Sequence, residues 1–321
     1  MQMDLSKLIS RAEEQPQAEA AQQLSKEEYA AVKKAEREAA WARVDAQAEA
    51  VFADSASMQA FLDFTAQCTP QSTRNLLILY EQNPEIRHPR TFDKWKEAGR
   101  SVITGATGYT FFAEQTYMRD DNTMASGYTL TKAFDITQTR GPQPATETAH
   151  APEELVAALI EKSPVRILLS DNLPDQVQGQ YVPRQHTIFV RNNMDEVTTF
   201  CVIAREQAHA CYDTVGRGYT RQAFAAKSYC AAYVAAKKFG IDTASFQFDK
   251  VCEAGAGLDA QGKRGFLGDV KSAAYTVNRA ISSSFREMEQ TIQPDEFSVS
   301  VSAPAKPAKG KTAKNKDVES R

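Results

Sequence analysis

The residues best placed to do chemistry lie in 197–213, VTTFCVIAREQAHACYD, of this 321-residue chain. Phe200, Val202, Ile203, Ala204, Ala208 and Cys211 recur at helical spacing and cover more than one face, which predicts a buried helix. Arg205, Glu206 and His209 interrupt that apolar surface. Buried charges are costly unless they are paired or bind something. Arg-Glu-x-x-His differs by one residue from His-Glu-x-x-His, in which two histidines on one helix face hold zinc and the glutamate activates water. Arg205 stands at the first histidine position. Arginine does not release its proton to become a ligand, and its charge repels a dication. It could instead pair with Glu206 or a nearby carboxylate, putting a fixed positive charge where a metal would sit. Cys201, one turn before Arg205, and Cys211 are soft donors, but small buried cysteines usually pack. His88, His150 and His186 have no ligand spacing to His209.

A second candidate is 87–100. Arg87, Arg90, Lys94, Lys96 and Arg100 stand against Asp93 and Glu97, five cations minus two anions for a local +3, interleaved with Phe92 and Trp95. Cations beside rings suit single-stranded nucleic acid, whose phosphates meet charge and whose bases stack. Phe92 and Trp95, three apart, equally fit the core face of a short helix. Across 71–141 there are nine Lys/Arg and eight Asp/Glu, and the whole chain carries −3. Any basic surface must therefore be local.

These residues need a frame, and the chain is long enough for two domains with a real core. Hydrophobic residues at 42% and charged residues at 25% are ordinary globular values. Five cysteines without a Cys-x-x-Cys pair predict reduced thiols. The opening MQMDLSKLISRAEEQ lacks the apolar run of a signal peptide. No stretch approaches the roughly 18 apolar residues of a spanning helix, so the expectation is a cytoplasmic protein without membrane contact.

Residues 26–52 predict one long helix, with Ser25 as N-cap and Glu28 completing a capping box. Its apolar residues are sparse, so 1–56 reads as a charged helical arm. Amphipathic helices follow from 57 to the Thr69-Pro70 stop and over 72–82, ended by Asn83-Pro84. A short helix over 91–98 leads through Gly99, Gly105 and Gly108, turn positions that call for positive φ, into two or three antiparallel strands. GPQPATETAHA, 141–151, reads as a linker. Next come a helix over 152–163 with acidic residues in its first turn, a strand in VRILL, and a hairpin edge in QGQYVPRQHTIFVR. After the 197–213 helix, a second apolar helix spans 220–239 with Gly240 as its cap, and two more helical segments lie at 246–256 and 263–285. The end, PAKPAKGKTAKNKDVESR, carries +4 with nothing to bury and should be disordered.

Two separated blocks point to one family. Ser72-x-x-Asn75-x-Leu77-Ile78, Gln82-Asn83-Pro84, Phe92-x-x-Trp95, Gly99-Arg100-Ser101-Val102 with Gly105 and Gly108, and Phe134-Asp135-Ile136-x-Gln138-Thr139 follow in order. Together they resemble the N-terminal single-stranded-DNA-binding domain of the ArdC-type antirestriction proteins, a family found mostly on plasmids and integrative conjugative elements. Residues 152–285 resemble that family's second domain, a zincin-like metallopeptidase fold. The match lies in Tyr181 and Ile188-Phe189-Val190 before the motif helix, and in Tyr233-Val234 and Phe239-Gly240-Ile241-Asp242-Thr243 after it.

The resemblance implies an α+β protein of two domains: an N-terminal helical domain with a small antiparallel sheet, and a mostly helical, zincin-like C-terminal domain. The divisions are a helical arm at 1–56, a DNA-binding domain at 57–141, a linker at 142–151, a degenerate peptidase domain at 152–290 and a basic tail at 291–321. It implies DNA contacts by Arg87, Arg90, Lys94, Trp95, Lys96 and Arg100, polar contacts from Asn75 or Gln138, and close backbone approach to phosphates at Gly105 and Gly108. It also places the first zinc histidine at Arg205 and the third, acidic ligand at Tyr229. Catalytic zinc needs about three protein ligands and an open position. His209 is left as a vestigial ligand and Glu206 as a vestigial general base, so no cofactor is expected.

The reading that follows is a single-stranded-DNA-binding protein of a mobile genetic element, antirestriction and conjugation being the family's setting, with an inactive metallopeptidase-like domain. One alternative is an interaction scaffold that binds other element-encoded proteins and no nucleic acid. The other is an active zinc peptidase with unorthodox ligands, which the loss of two ligands together disfavours.

Overall fold

The computed structural model describes residues 25–119, 121–143, 148–216 and 218–292. Of the disordered tail expected at 291–321, residues 291–292 end the last helix and the rest lies outside the described residues, as do the first 24 residues of the arm and linker residues 144–147. The architecture is α+β, helices with three small sheets.

Helix α1, Lys26–Val51, opens on the capping box read from sequence: Glu28 N–H donates to Ser25 Oγ and Ser25 N–H to the Glu28 carboxylate. Its first half is exposed. Its second half is not an arm, because Ala40, Val44, Ala48 and Val51 are buried. Small residues at steps of three and four let α9, Ala260–Ile292, approach closely, and ion pairs Lys263–Glu49 and Arg264–Asp45 join the two helices. Helices α2, Ser55–Gln67, and α3, Thr73–Gln82, are capped by Asp54 and Ser72.

Strands β1 (Arg90–Thr91), β3 (Tyr109–Met118) and β4 (Met124–Phe134) form an antiparallel sheet in the order β1-β4-β3. Strands β2 (Ser101–Val102) and β5 (Thr139–Arg140) pair separately, with the short helix α4, Phe92–Glu97, between β1 and β2.

Beyond the linker, α5 (Pro152–Glu161) precedes a sheet of order β6-β8-β7, with β6 at Arg166–Leu169, β7 at Gly179–Val182 and β8 at Thr187–Val190. The β7–β8 hairpin is present, but β8 is the central strand because β6 adds to it in parallel. Helices α6 (Glu196–Thr214), α7 (Arg221–Lys238) and α8 (Asp249–Gly255) follow.

Two buried clusters hold the molecule together. One runs from Val44, Phe61 and Leu77 into Tyr233, Phe248 and Val270, and therefore crosses the linker. The other joins Leu159, Ile188, Phe200, Ile203 and Ala232. The Tyr233 hydroxyl donates to Asp63 at 2.6 Å and Lys237 pairs with the same carboxylate, so α7 is pinned to α2 as well as to α6. Among the described residues no helix is long and apolar enough to cross a membrane.

Candidate functional sites: a buried ion-pair cluster and a basic cleft

Glu206 projects from α6 into a site with no solvent exposure, and both its oxygens are fully engaged. Arg221 grips it with two guanidinium N–H groups at 2.6 and 2.7 Å, Arg205 Nε donates at 3.1 Å, and the Tyr181 N–H of β7 donates at 2.8 Å. Strand β7 can come this close because Gly179 has no side chain: a Cβ there would sit 2.4 Å from Val202 Cγ1. Burial alone would raise the Glu206 carboxyl. The Arg221 hydrogen bonds and the Arg205 and Arg221 charges outweigh it and hold the group below the ordinary carboxylate value.

His209, one turn on, has its Nδ1 hydrogen-bonded with the Tyr219 hydroxyl at 3.0 Å. Its ring is pushed down to about 4, first by burial and further by the two arginines, against the opposing pull of Glu206, so it is neutral at physiological pH. Tyr229 turns its hydroxyl to accept the Gln247 N–H at 2.9 Å and packs against Phe246 and Phe248. The structure thus gathers Arg205, Glu206, His209 and Tyr229 around one cleft, together with Arg221, which the sequence reading missed. A signal was present. Arg221 opens α7 directly after its Thr220 cap, and a cation in a first helical turn opposes the helix dipole and needs another reason to be there.

These residues do not fit a catalytic divalent metal. Two guanidinium groups occupy the carboxylate, and Tyr229 holds a backbone N–H. Among the described residues no group of three His, Cys, Asp or Glu side chains could share an ion. Burial pushes the Cys201 thiol up to about 11.

The N-terminal candidates divide into two sets. Asn75 is buried and bonds both backbone groups of Phe112, accepting at 2.9 Å and donating at 3.0 Å, so α3 borders β3 much as a strand would. Trp95 is 2% exposed and donates its indole N–H to the Phe134 carbonyl at 2.7 Å. Arg100 is buried, with Nε on Thr139 Oγ1 at 2.8 Å and Nη1 on the Gly141 carbonyl at 2.9 Å. Gln138 caps Asp135 and donates to the Thr107 carbonyl. Gly108 lies where a Cβ would meet Lys132 and Phe134, and Gly105 turns at φ +84°. Asn75, Trp95, Arg100, Gln138 and Gly108 spend their polar groups or their shape inside the fold, whereas Gly105 is an exposed turn; Gly108 does not take the positive φ expected of it, and close packing accounts for it instead. Arg90, Lys94 and Lys96 remain at the surface, with Lys94 paired to Glu97 at 2.7 Å and Arg90 over the Trp95 ring. Phe92, three before Trp95, is exposed.

Arg87 belongs to a larger feature. A cleft of about 990 Å³ runs between the α2–α3 connection, the 87–88 loop, the end of α7 and one face of α9. Arg87, Lys238, Lys271, Arg279 and Arg286 line it, with His88, Tyr275 and Asn278, and among the described residues no acidic side chain lines it. Lys271, Tyr275 and Arg279 recur at steps of four on α9, and Arg286 continues that face. At 1.5 Å per residue the row spans roughly 22 Å. Tyr275 is 46% exposed. Arg87 is braced by the Pro84 and Ile86 carbonyls. The cleft was not legible locally because its charge comes from three separated segments, the 87–88 loop, the end of α7 and α9.

Residues 25–149 match the family model of the N-terminal domain of anti-restriction factor ArdC. Among solved structures, the chain is similar to the metal-free antirestriction ArdC protein from R388 plasmid. Identity is 16%, coverage is 75% of this chain and 98% of that chain, and the TM-score is 0.49. For the Mn(II)-bound structure of the same protein the identity is 15%, the coverage 70% and 97%, and the TM-score 0.43. No curated protein matches the chain.

Proposed function

We propose that this ArdC-like chain binds single-stranded DNA in the cleft lined by α9, in the service of a mobile element's antirestriction system in the cytoplasm. On the same reading its C-terminal part is a zincin-like metallopeptidase domain that has lost both metal and peptidase activity. The observation that carries the DNA reading is the cleft itself: five cations and an exposed tyrosine, with no carboxylate among the described lining residues. Phosphates would meet the cations, and bases would find Tyr275 as a stacking face. Arg87 ties the cleft to the ArdC-like segment, and Arg90, Lys94 and Lys96 extend the basic surface beyond it. Loss of peptidase activity is supported by Arg205 and Arg221 on Glu206, since a general base bonded by two guanidinium groups cannot activate water.

Fluorescence anisotropy of the full chain with a labelled single strand, titrated with salt, tests the reading. Contacts to roughly three to five phosphates predict a slope of log affinity on log salt of about −2 to −3.5. Replacing Arg279 and Arg286 together by alanine should flatten it by about 1.4 and weaken all sequences alike. No binding by folded protein at low salt, or an unchanged slope in the double variant, refutes it.

A further inference from the structure

We propose that the cleft beside Glu206 is an oxyanion-binding pocket, taking the phosphate or carboxylate of a small ligand between Arg205 and Arg221. The pocket has a volume of about 360 Å³, within the usual range for small-molecule sites. Arg205, Arg221, His209, Tyr229, Gln176 and Gln180 line it, and among the described residues no acidic side chain does. Two guanidinium groups against one carboxylate leave the cluster at +1.

Hydrogen bonding gives the same sign. Glu206 has no capacity left, with two donors on each oxygen. Arg205 uses only Nε on it, and its two terminal nitrogens have no bonded partner among the described residues. His209 lines the same wall, its Nδ1 engaged with the Tyr219 hydroxyl at 3.0 Å. The amides of Gln176 and Gln180 add donors. A wall rich in donors, with its one carboxylate saturated, is complementary to an oxyanion, and guanidinium groups match planar carboxylate and tetrahedral phosphate alike. Neither guanidinium is free to swing away, since Glu206 orients both. The site is preorganised, and it is separate from the basic cleft along α9.

Four histidines make the test direct. His209 lines this pocket and His88 lines the α9 cleft. In histidine-labelled full chain, proton–carbon NMR should show the His209 ring signal shifting saturably with millimolar inorganic phosphate or acetate, and not with chloride at matched ionic strength. Single-stranded DNA should move His88 and leave His209 in place, so failure of this proposal is distinguishable from failure of the DNA reading. Arg205→Gln should weaken the phosphate response roughly tenfold or more. Ala225→Glu places a carboxylate on the exposed rim, one turn from Arg221, where it competes with an anion for that guanidinium and should also abolish the response. A His209 signal that ignores both anions, follows chloride equally, or responds unchanged in the two variants overturns the proposal.

Discussion

Arg221→Gln is the perturbation that reports most on the buried cluster. Glu206 is fully buried and Arg221 is its bidentate partner. Removing one partner of a buried pair costs about 3–5 kcal/mol because the remaining charge is stranded. Arg205 and the Tyr181 N–H stay in place, so the lower end, about 3 kcal/mol, is expected. The loss should depend on pH with a definite sign. In the native chain Glu206 is held below its ordinary value, so its contribution is present above the unfolded carboxylate pKa, about 4.3, and fades as pH falls through the folded one. In the variant, burial is no longer outweighed and the carboxyl takes up a proton at higher pH. A 3 kcal/mol difference corresponds to a pKa about two units higher than in the native chain. The gap between variant and native protein should be largest near about pH 7 and narrow toward about pH 4. Urea denaturation followed by circular dichroism at both pH values measures it. Glu206→Gln should cost about 2–3 kcal/mol, since one oxygen becomes an amide donor facing donors while the other still accepts and Arg221 is partly solvated. Adding Arg221→Gln to it should then cost less than about 1 kcal/mol, a coupling of about 2 kcal/mol. An Arg221→Gln variant within about 1 kcal/mol of native at both pH values, or an additive double variant, refutes this account of the cluster.

Trp95→Phe should destabilise the protein by about 1–3 kcal/mol by orphaning the Phe134 carbonyl, and Trp95→Ala by about 3–5 kcal/mol, while folded Trp95→Phe keeps its DNA affinity. Denaturation and anisotropy on the same samples check this, and lost affinity at unchanged stability would put Trp95 on the DNA surface instead. Introducing the ligands that the sequence resemblance implies, with Arg205→His and Tyr229→Glu, should not produce zinc binding while the Arg221 charge stays fixed on Glu206 beside the site. Adding Arg221→Gln should produce it, as read by competition with a chromogenic chelator, and tight zinc in the two-substitution variant would contradict the assigned role of Arg221.

Much of the fold is written in local chemistry. The Ser25/Glu28 box, the Ser72 cap and Gly240 at φ +73° mark helix ends because capping uses residues within one turn of the chain. The second half of α1 was harder to read, since an alanine stripe carries almost no hydropathy signal and its meaning depends on α9 arriving beside it. The same limit applied to function. Arg100 and Trp95 share a basic, aromatic stretch with Lys96, and composition cannot tell a guanidinium that clamps Thr139 from one that faces solvent. Arg205 was legible as a misfit in a metal motif. Arg221, 15 residues from Glu206, was brought to it only by the turn between α6 and α7. Lys271, Tyr275 and Arg279 read as an ordinary solvated helix face until the packing set Arg87 and Lys238 opposite them.

The most direct test of the central claim is ultraviolet cross-linking of the full chain to single-stranded DNA, with the attachment sites mapped by mass spectrometry. A cross-link at Tyr275, lost when Arg279 and Arg286 are replaced, is the predicted result. Cross-links confined to the exposed tyrosines of the β3–β4 hairpin, Tyr117 and Tyr128, would move the DNA surface away from the α9 cleft and contradict the account.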